Sequence, residues 1–330
     1  MPRRNPPNPV SGSTCRSFPA PRRTPERRPD VAARIATAPI SWGVSEVPDW
    51  GFQLSPERVL AEMRELGFSA TELGAQGFLP PAPADKAARL AEYGMKGIGS
   101  FVPVVVHDPG VDPLPRIEQE LANYAAAGAE VLVVSTVTGI RGYDQLRPEL
   151  DADGWRLFMR NLDRISQRAA EQGVLATLHP HVGTMIETRD DIMHVIDDSS
   201  MQICFDTGHM MIGGTDPVDF ARQYAERVAY SHLKDVSVKT MERVKRGELS
   251  YFESIVADEL YTPLGQGDVD IRAIVQSMLA AGFNGWFVLE QDKVLHEEPA
   301  PGTGPIEDAR ASVEWLRGAL TELEVEGISA

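Results

Sequence analysis

From residue 35 onward, short apolar runs alternate with stretches whose apolar residues recur at helical spacing. The strand-like runs are Ile35–Trp42, Ala70–Leu73, Gly97–Val106, Val131–Ser135, Val174–His179, Gln202–Asp206, Val228–Leu233 and Trp286–Glu290. The first intervening stretch opens on Ser55 as an N-cap, followed by Pro56 and Glu57. It then spaces Val59, Leu60, Met63 and Leu66 along one face before Gly67 stops it. Helices are expected likewise over Asp85–Tyr93, Leu114–Ala127, Gly154–Gln172, Arg189–Ile196, Pro217–Ala225, Asp270–Ala281 and Ile306–Leu323. Eight strand–helix units in a chain of 330 residues predict an α/β fold of the closed (β/α)8 TIM barrel type, one domain over residues 33–325. An open doubly wound sheet would favour a glycine-rich fingerprint after the first strand, and none is present there.

One stretch departs from this rhythm. Residues 235–268 follow the seventh strand without an evident helix. They carry Lys239, Arg243, Lys245 and Arg246, then Tyr251, Phe252 and Tyr261, then Gly265-Gln266-Gly267-Asp268. In a barrel such a segment lies at the C-terminal face, where active sites sit, so it reads either as a lid or as a solvated or oligomer-contact insertion.

Charge sharpens the picture. The formal net charge is −16, yet residues 1–30 hold seven arginines and two acids, a net of +5, so the remaining 300 residues carry −21. Residues 1–32, rich in Arg and Pro and without apolar periodicity, are expected to stay disordered. Few serines and no amphipathic pattern argue against a transit peptide there, and no apolar core marks a secretory signal. An acidic body repels phosphate backbones and anionic membranes, so neither nucleic acid nor membrane is expected as a partner. No apolar run is long enough to span a bilayer. The only cysteines, Cys15 and Cys204, exclude a disulfide framework and are compatible with a cytoplasmic location. Homo-oligomerisation stays open.

The chemistry gathers at strand ends. Consecutive strands terminate in His179-Pro180-His181, Asp206-Thr207-Gly208-His209, His232-Leu233-Lys234 and Glu290-Gln291-Asp292. A strand that turns polar only at its last residue places that residue at the barrel rim. Imidazole and carboxylate together suit a divalent cation of the Mn²⁺, Co²⁺, Zn²⁺ or Fe²⁺ kind. His194, mid-helix, reads as structural. Cys204 lies inside a strand and no nucleophile elbow appears, so a serine or cysteine hydrolase is unsupported.

These motifs resemble the xylose-isomerase-like TIM barrels, the superfamily of sugar isomerases, epimerases and endonuclease IV. The carrying residues are Ala38-Pro39-Ile40-Ser41-Trp42, Thr71-Glu72-Leu73-Gly74, His179-Pro180-His181-Val182-Gly183-Thr184, Phe205-Asp206-Thr207-Gly208-His209, His232-Leu233-Lys234-Asp235, Gly265-Gln266-Gly267-Asp268 and Gly285-Trp286-Phe287-Val288-Leu289-Glu290. They occur in order over about residues 35–322, and the branch most similar is that of the inosose dehydratases. The resemblance implies a metal site made by Asp206, His232 and Glu290, with His179 in the place where many sugar epimerases have a glutamate. It implies Mn²⁺ or Co²⁺ as the cofactor, ahead of Zn²⁺, Mg²⁺ or Fe²⁺, and a small polyol or keto-sugar as the substrate. His181 and His209 match substrate-contacting histidines.

Glu72 reads as a base reaching in from the opposite side or as a structural carboxylate. Trp42 reads as a platform for a sugar ring or as a plug of the barrel end. Lys234 reads as a donor to substrate oxygen or as the partner of Asp235 or another carboxylate. The expected reaction is α-proton removal by Glu72, His181 or His209, followed by loss of a β-hydroxyl from a cyclic polyhydroxy ketone such as 2-keto-myo-inositol. Epimerase or isomerase activity, β-elimination from 3-keto glycosides and non-catalytic sugar binding are the alternatives. DNA repair of the endonuclease IV kind would want a basic groove, which a −21 body does not offer.

Overall fold

In the computed structural model, residues 33–257 and 260–328 are described; the expected tail, residues 1–32 with Cys15, lies outside them. Nine parallel strand segments form one sheet, and two of them are halves of a single strand broken at Ile98. The barrel strands are β1 (Arg34–Thr37), β2 (Ala70–Thr71), β3 (Lys96–Gly97 and Gly99–Val104), β4 (Val131–Thr136), β5 (Leu175–Leu178), β6 (Gln202–Asp206), β7 (Val228–Leu233) and β8 (Trp286–Leu289). The first half of β3 pairs with β2 and the second half with β4, so the ring of pairings closes through this strand. The expected TIM barrel is therefore present. The observed strands are shorter than the apolar runs, because the chain leaves the sheet where its polar rim residues begin. β1, for instance, gives way at Ala38 to a 3₁₀ turn, Pro39–Trp42.

The helices are α1 (Pro56–Glu65), α2 (Pro83–Glu92), α3 (Leu114–Ala127), α4 (Ala152–Ala170), α5 (Arg189–Asp198), α6 (Thr207–Ile212), α7 (Pro217–Tyr224), α8 (Val238–Lys245), α9 (Tyr251–Val256), α10 (Ile271–Ala280) and α11 (Pro305–Val325). Ser55 caps α1 by accepting the Arg58 N–H, as the sequence suggested. No helix among the described residues is long and apolar enough to cross a membrane.

Two cores flank the barrel wall. Outside, helix faces such as Val59, Leu60 and Met63 of α1 pack on the strands. Inside, small and medium residues fill the narrow interior, among them Ala36, Ala70, Val133, Cys204, Tyr230 and Val288. Side chains alternate along a strand. The positions that carry Cys204, Tyr230 and Val288 inward therefore carry Asp206, His232 and Glu290 inward two residues later, directly above this floor.

Residues 235–268 differ from the expected structureless loop. Asp235–Val236 pairs antiparallel with Tyr261–Thr262, and α8 and α9 lie between them. Ser237 caps α8, and Ser250 with Glu253 forms a capping box on α9. The short run Val238, Met241, Val244 is helical in spacing but is masked in the sequence by its basic neighbours. Asp144, from the loop after β4, accepts the first two N–H groups of α9, those of Tyr251 (2.7 Å) and Phe252 (3.3 Å). Phe252 also meets Trp50 from the loop after β1, ring centroids 5.7 Å apart. At its base the insertion is held by Asp235, whose carboxylate accepts the N–H groups of Val236, Gly265, Gly267 and Val269. This is why the Gly265-Gln266-Gly267 run is glycine-rich: a Cβ at Gly267 would collide with that carboxylate.

Candidate metal and substrate site

The rim residues of β5 to β8 converge at the C-terminal mouth. Asp206 ends β6 and caps α6, its Oδ1 accepting the His209 N–H at 2.8 Å, while its buried Oδ2 has no hydrogen-bond partner. That free oxygen lies 3.4 Å from His179 Nε2 and 3.6 Å from His232 Nδ1. His232 Nδ1 in turn lies 3.0 Å from His179 Nε2 and 2.6 Å from Glu290 Oε2, which is also without a hydrogen bond. Donor atoms bound at about 2.1 Å to one cation stand about 3.0–3.4 Å from one another along the edges of its coordination polyhedron. The neighbouring donors stand 2.6–3.6 Å apart, close to that spacing, and two of them are orphaned carboxylate oxygens in a buried place, where an unpaired polar atom is costly. This donor set fits a divalent cation. Cys204 stands with His179 and His232 in a further group of nearby donors, but burial pushes its thiol well up, and a protonated thiol is a poor ligand.

Glu72 has a defined partner. Its Oε1 accepts from His232 Nε2 at 2.8 Å and from the Tyr230 hydroxyl at 3.0 Å. The carboxylate takes the Nε2 proton, so Nδ1 is the nitrogen that faces the converging donors. Burial works against a second proton there, but Glu290 and Glu72 hold the imidazole well above the usual histidine range, and a cation would take that proton's place. His179 has no such support, since its Nδ1 is unpartnered, and its ring is set by an edge contact with Phe101, centroids 5.7 Å apart.

Lys234 is fully buried. Its Nζ lies 3.0 Å from Asp292 Oδ1, 3.2 Å from Glu290 Oε1, 3.5 Å from Asp206 Oδ2 and 3.0 Å from His209 Nε2. Burial works against its charge, but Asp206, Asp292 and Glu290 outweigh burial and hold the ammonium well above the usual lysine range. Glu290 likewise resists burial through His232 and Lys234 and stays at about 2. Asp292 is pushed up to about 6 by burial and by Glu290, with Lys234 opposing. Of the two roles the sequence left to Lys234, that of a carboxylate's partner is seen, although the partner is not Asp235. Asp235 is held by backbone amides, and Lys234 pairs with carboxylates of β6 and β8.

His181 and His209 part company. Their rings are in contact, centroids 3.7 Å apart and planes tilted by 36°, yet only His181 lines the cavity at the barrel mouth. α6 starts immediately after Asp206 and turns His209 behind its neighbour, so the expected contact of His209 with substrate is corrected to a place behind the wall. His181 Nδ1 donates to the Val182 carbonyl at 2.7 Å, which leaves Nε2 as a bare acceptor. Burial, then His179 and Lys234, lower His181 to about 3. The motif's glycine has a reason as well: Gly183 has φ +73°, and a Cβ there would collide with the Tyr143 carbonyl.

Of the two readings of Trp42, platform for a sugar ring or plug of the barrel end, the first is corrected: Trp42 is a core residue that does not line the cavity. It is fully buried and its Nε1 donates to Glu62 Oε2 at 2.8 Å. The cavity, open at its mouth, is walled instead by Trp50, Phe101, Tyr143 and Tyr251, with Glu72, His179, His181, His232, Lys234, Glu290 and Asp292 at its polar end. Asp292 is the next inward position after Glu290, whereas Trp50 and Tyr143 come from loops with no periodicity, Phe101 from β3 and Tyr251 from α9.

A pH dependence follows. In the unfolded chain His181 titrates near about 6.5, and in the fold it titrates at about 3. Between these values the unfolded chain binds the extra proton, so this histidine removes stability as the pH falls through that window. Thermal scans of the metal-free protein should show wild type losing more stability between pH 7 and pH 5 than His181→Asn. Equal losses would contradict the assignment of a neutral, buried imidazole.

Comparison with known proteins agrees with this architecture. An inosose dehydratase of Geobacillus kaustophilus (strain HTA426) is 31% identical over 277 residues, covering 79% of this chain and 87% of that protein. The rhizopine catabolism protein MocC of Rhizobium meliloti is 29% identical, covering 80% and 82%. Among solved structures, L-ribulose 3-epimerase superposes with a TM-score of 0.64 at 19% identity, covering 90% of this chain and 98% of that one. The IOLI protein with a bound zinc atom gives 0.62 at 12% identity, covering 88% and 98%. The family model for the xylose isomerase-like TIM barrel matches residues 60–319, and the chain belongs to that family.

Proposed function

We propose that the protein is a divalent-metal-dependent dehydratase of a cyclic polyhydroxy ketone of the 2-keto-myo-inositol kind, using Mn²⁺ or Co²⁺. The observation that carries this reading is the adjacency of four converging donors, two with orphaned oxygens, to an unprotonated imidazole nitrogen in one cavity. The similarity to inosose dehydratases supports the choice of substrate class.

His179, Asp206, His232 and Glu290 would hold the cation. The chemistry it supplies when bound is Lewis-acid polarisation of the ketone, which acidifies the neighbouring C–H. His181 Nε2 takes the α-proton, since its tautomer is fixed and burial keeps it neutral at working pH. Lys234, locked among carboxylates, keeps a positive charge beside the reacting end. Trp50, Phe101 and Tyr143 shield the cavity from bulk water. An uncharged polyol suits this pocket, because its one buried ammonium is already matched by three carboxylates.

The test is direct. Protein loaded with Mn²⁺ or Co²⁺ is incubated with 2-keto-myo-inositol, and loss of water is followed by mass and by absorbance of the dehydrated diketone. No product with either metal overturns the proposal. Deuterium entering from solvent at the α-carbon without water loss would instead favour an epimerase or isomerase.

Glu72 acts here as the orienting partner of His232. Glu72→Gln should weaken metal affinity about 10–100-fold, the usual cost of losing such an outer carboxylate, with kcat at saturating metal within severalfold. Normal affinity with a collapsed kcat would show that Glu72 is the base.

A further inference from the structure

A chain of hydrogen bonds runs from Lys234 to the lid. Lys234 Nζ lies 3.0 Å from His209 Nε2, His209 Nδ1 lies 3.5 Å from the Tyr261 hydroxyl, and that hydroxyl lies 2.9 Å from the hydroxyl of Tyr251. The polarity of this chain is fixed at one end, because an ammonium can only donate. His209 Nε2 must therefore accept, which leaves the proton on Nδ1, facing Tyr261. The Tyr261 oxygen accepts that proton, and its own hydrogen turns to Tyr251. The Tyr251 oxygen thus receives a hydrogen bond, and its own hydrogen is left to point elsewhere. Tyr251 lines the cavity beside His181 and Lys234. Donors in series polarise one another, which strengthens the last hydroxyl as a donor and offsets part of what burial takes from it.

We propose that Tyr251 is the acid that protonates the departing β-hydroxyl. This rests on the dehydratase reading above and assigns the second proton of that reaction. His181 removes the α-proton, and the C–H pair becomes the new C=C bond. The C–O bond breaks with its pair going to oxygen, and the Tyr251 proton completes a water molecule. The phenolate left behind is held by the Tyr261 O–H. It regains a proton from solvent, and His181 loses its proton to solvent, once product has gone. Burial holds the Tyr251 hydroxyl well above the usual tyrosine range, so it carries its proton at neutral pH. Tyr251 sits on α9 in the 235–268 insertion, while the base belongs to the loop after β5.

The experiment uses the full-length, Mn²⁺-loaded protein and three readouts on Tyr251→Phe. Dehydration of 2-keto-myo-inositol should fall about 10²–10³-fold, within the range for loss of a general acid. Exchange of the α-hydrogen with D₂O should stay within about threefold of wild type. Elimination from the analogue bearing fluoride in place of the β-hydroxyl, which leaves without a proton, should also stay within about threefold. Tyr261→Phe, which removes the supporting O–H, should lower dehydration about tenfold with the same selectivity.

Dehydration by Tyr251→Phe within threefold of wild type overturns the proposal. So does a parallel fall of all three rates, which would mark a packing role. Wild type that neither exchanges nor dehydrates this ketone overturns the dehydratase reading itself, a different result from either.

Discussion

Asp206→Asn is expected to fold normally and to lose tight metal binding. The substitution is chosen because the two oxygens of Asp206 have separate duties. Oδ1 accepts the His209 N–H and caps α6, a bond the amide oxygen of asparagine can keep. Oδ2 has no hydrogen-bond partner and faces His179 Nε2 and His232 Nδ1. Replacing that oxygen by an NH₂ puts a donor where a cation needs a lone pair. Loss of an outer partner costs about 10–100-fold in affinity, and loss of a direct donor should cost at least about 10³-fold. Calorimetric titration and metal content after gel filtration measure this. An asparagine variant that binds Mn²⁺ within tenfold of wild type would show that the converging donors are not the metal site.

The second large effect belongs to His181→Asn. The asparagine NH₂ can still donate to the Val182 carbonyl, so the loop after β5 keeps its main tether, while the bare Nε2 that faces the cavity is gone. His181 is not among the four donors, so metal affinity should stay within severalfold. Turnover should fall about 10²–10⁴-fold, the usual contribution of a positioned base, and exchange of the α-hydrogen with D₂O should fall with it. Retained exchange would move the base elsewhere, with Glu72, which also lines the cavity, the next candidate. The two variants separate binding from chemistry: one loses metal with its base intact, and the other loses its base with metal in place.

Much of this site is written in local sequence. β6, β7 and β8 are apolar strands that turn polar at Asp206, His232 and Glu290, and strand alternation alone sends those three residues inward above Cys204, Tyr230 and Val288. What local sequence does not carry is partnership across the barrel. Glu72 is 160 residues from His232, and only closure of the ring shows that its carboxylate is taken by that imidazole and by Tyr230. Trp42 looks like a sugar platform until the turn Pro39–Trp42 rotates it onto Glu62. His209 resembles its neighbour His181 in sequence, yet α6 begins so close to Asp206 that the two rings touch with one behind the other. The helices α8 and α9 escaped notice because each is short and flanked by charge, and the serines that cap them were the only local signs.

The attachment of α9 has a consequence for heat tolerance. The helix is joined to the loop after β4 by two amides on the exposed carboxylate of Asp144, and to the loop after β1 by the Phe252–Trp50 contact. A cap of this kind is worth about 1 kcal/mol and an aromatic pair about 0.5–1.5 kcal/mol. A whole domain is held by about 5–15 kcal/mol. On those magnitudes the three loops loosen together as one small cooperative unit while the barrel stays intact. On warming, catalytic competence should disappear several degrees before the circular-dichroism melt, and return on cooling, because what comes undone first is only the roof.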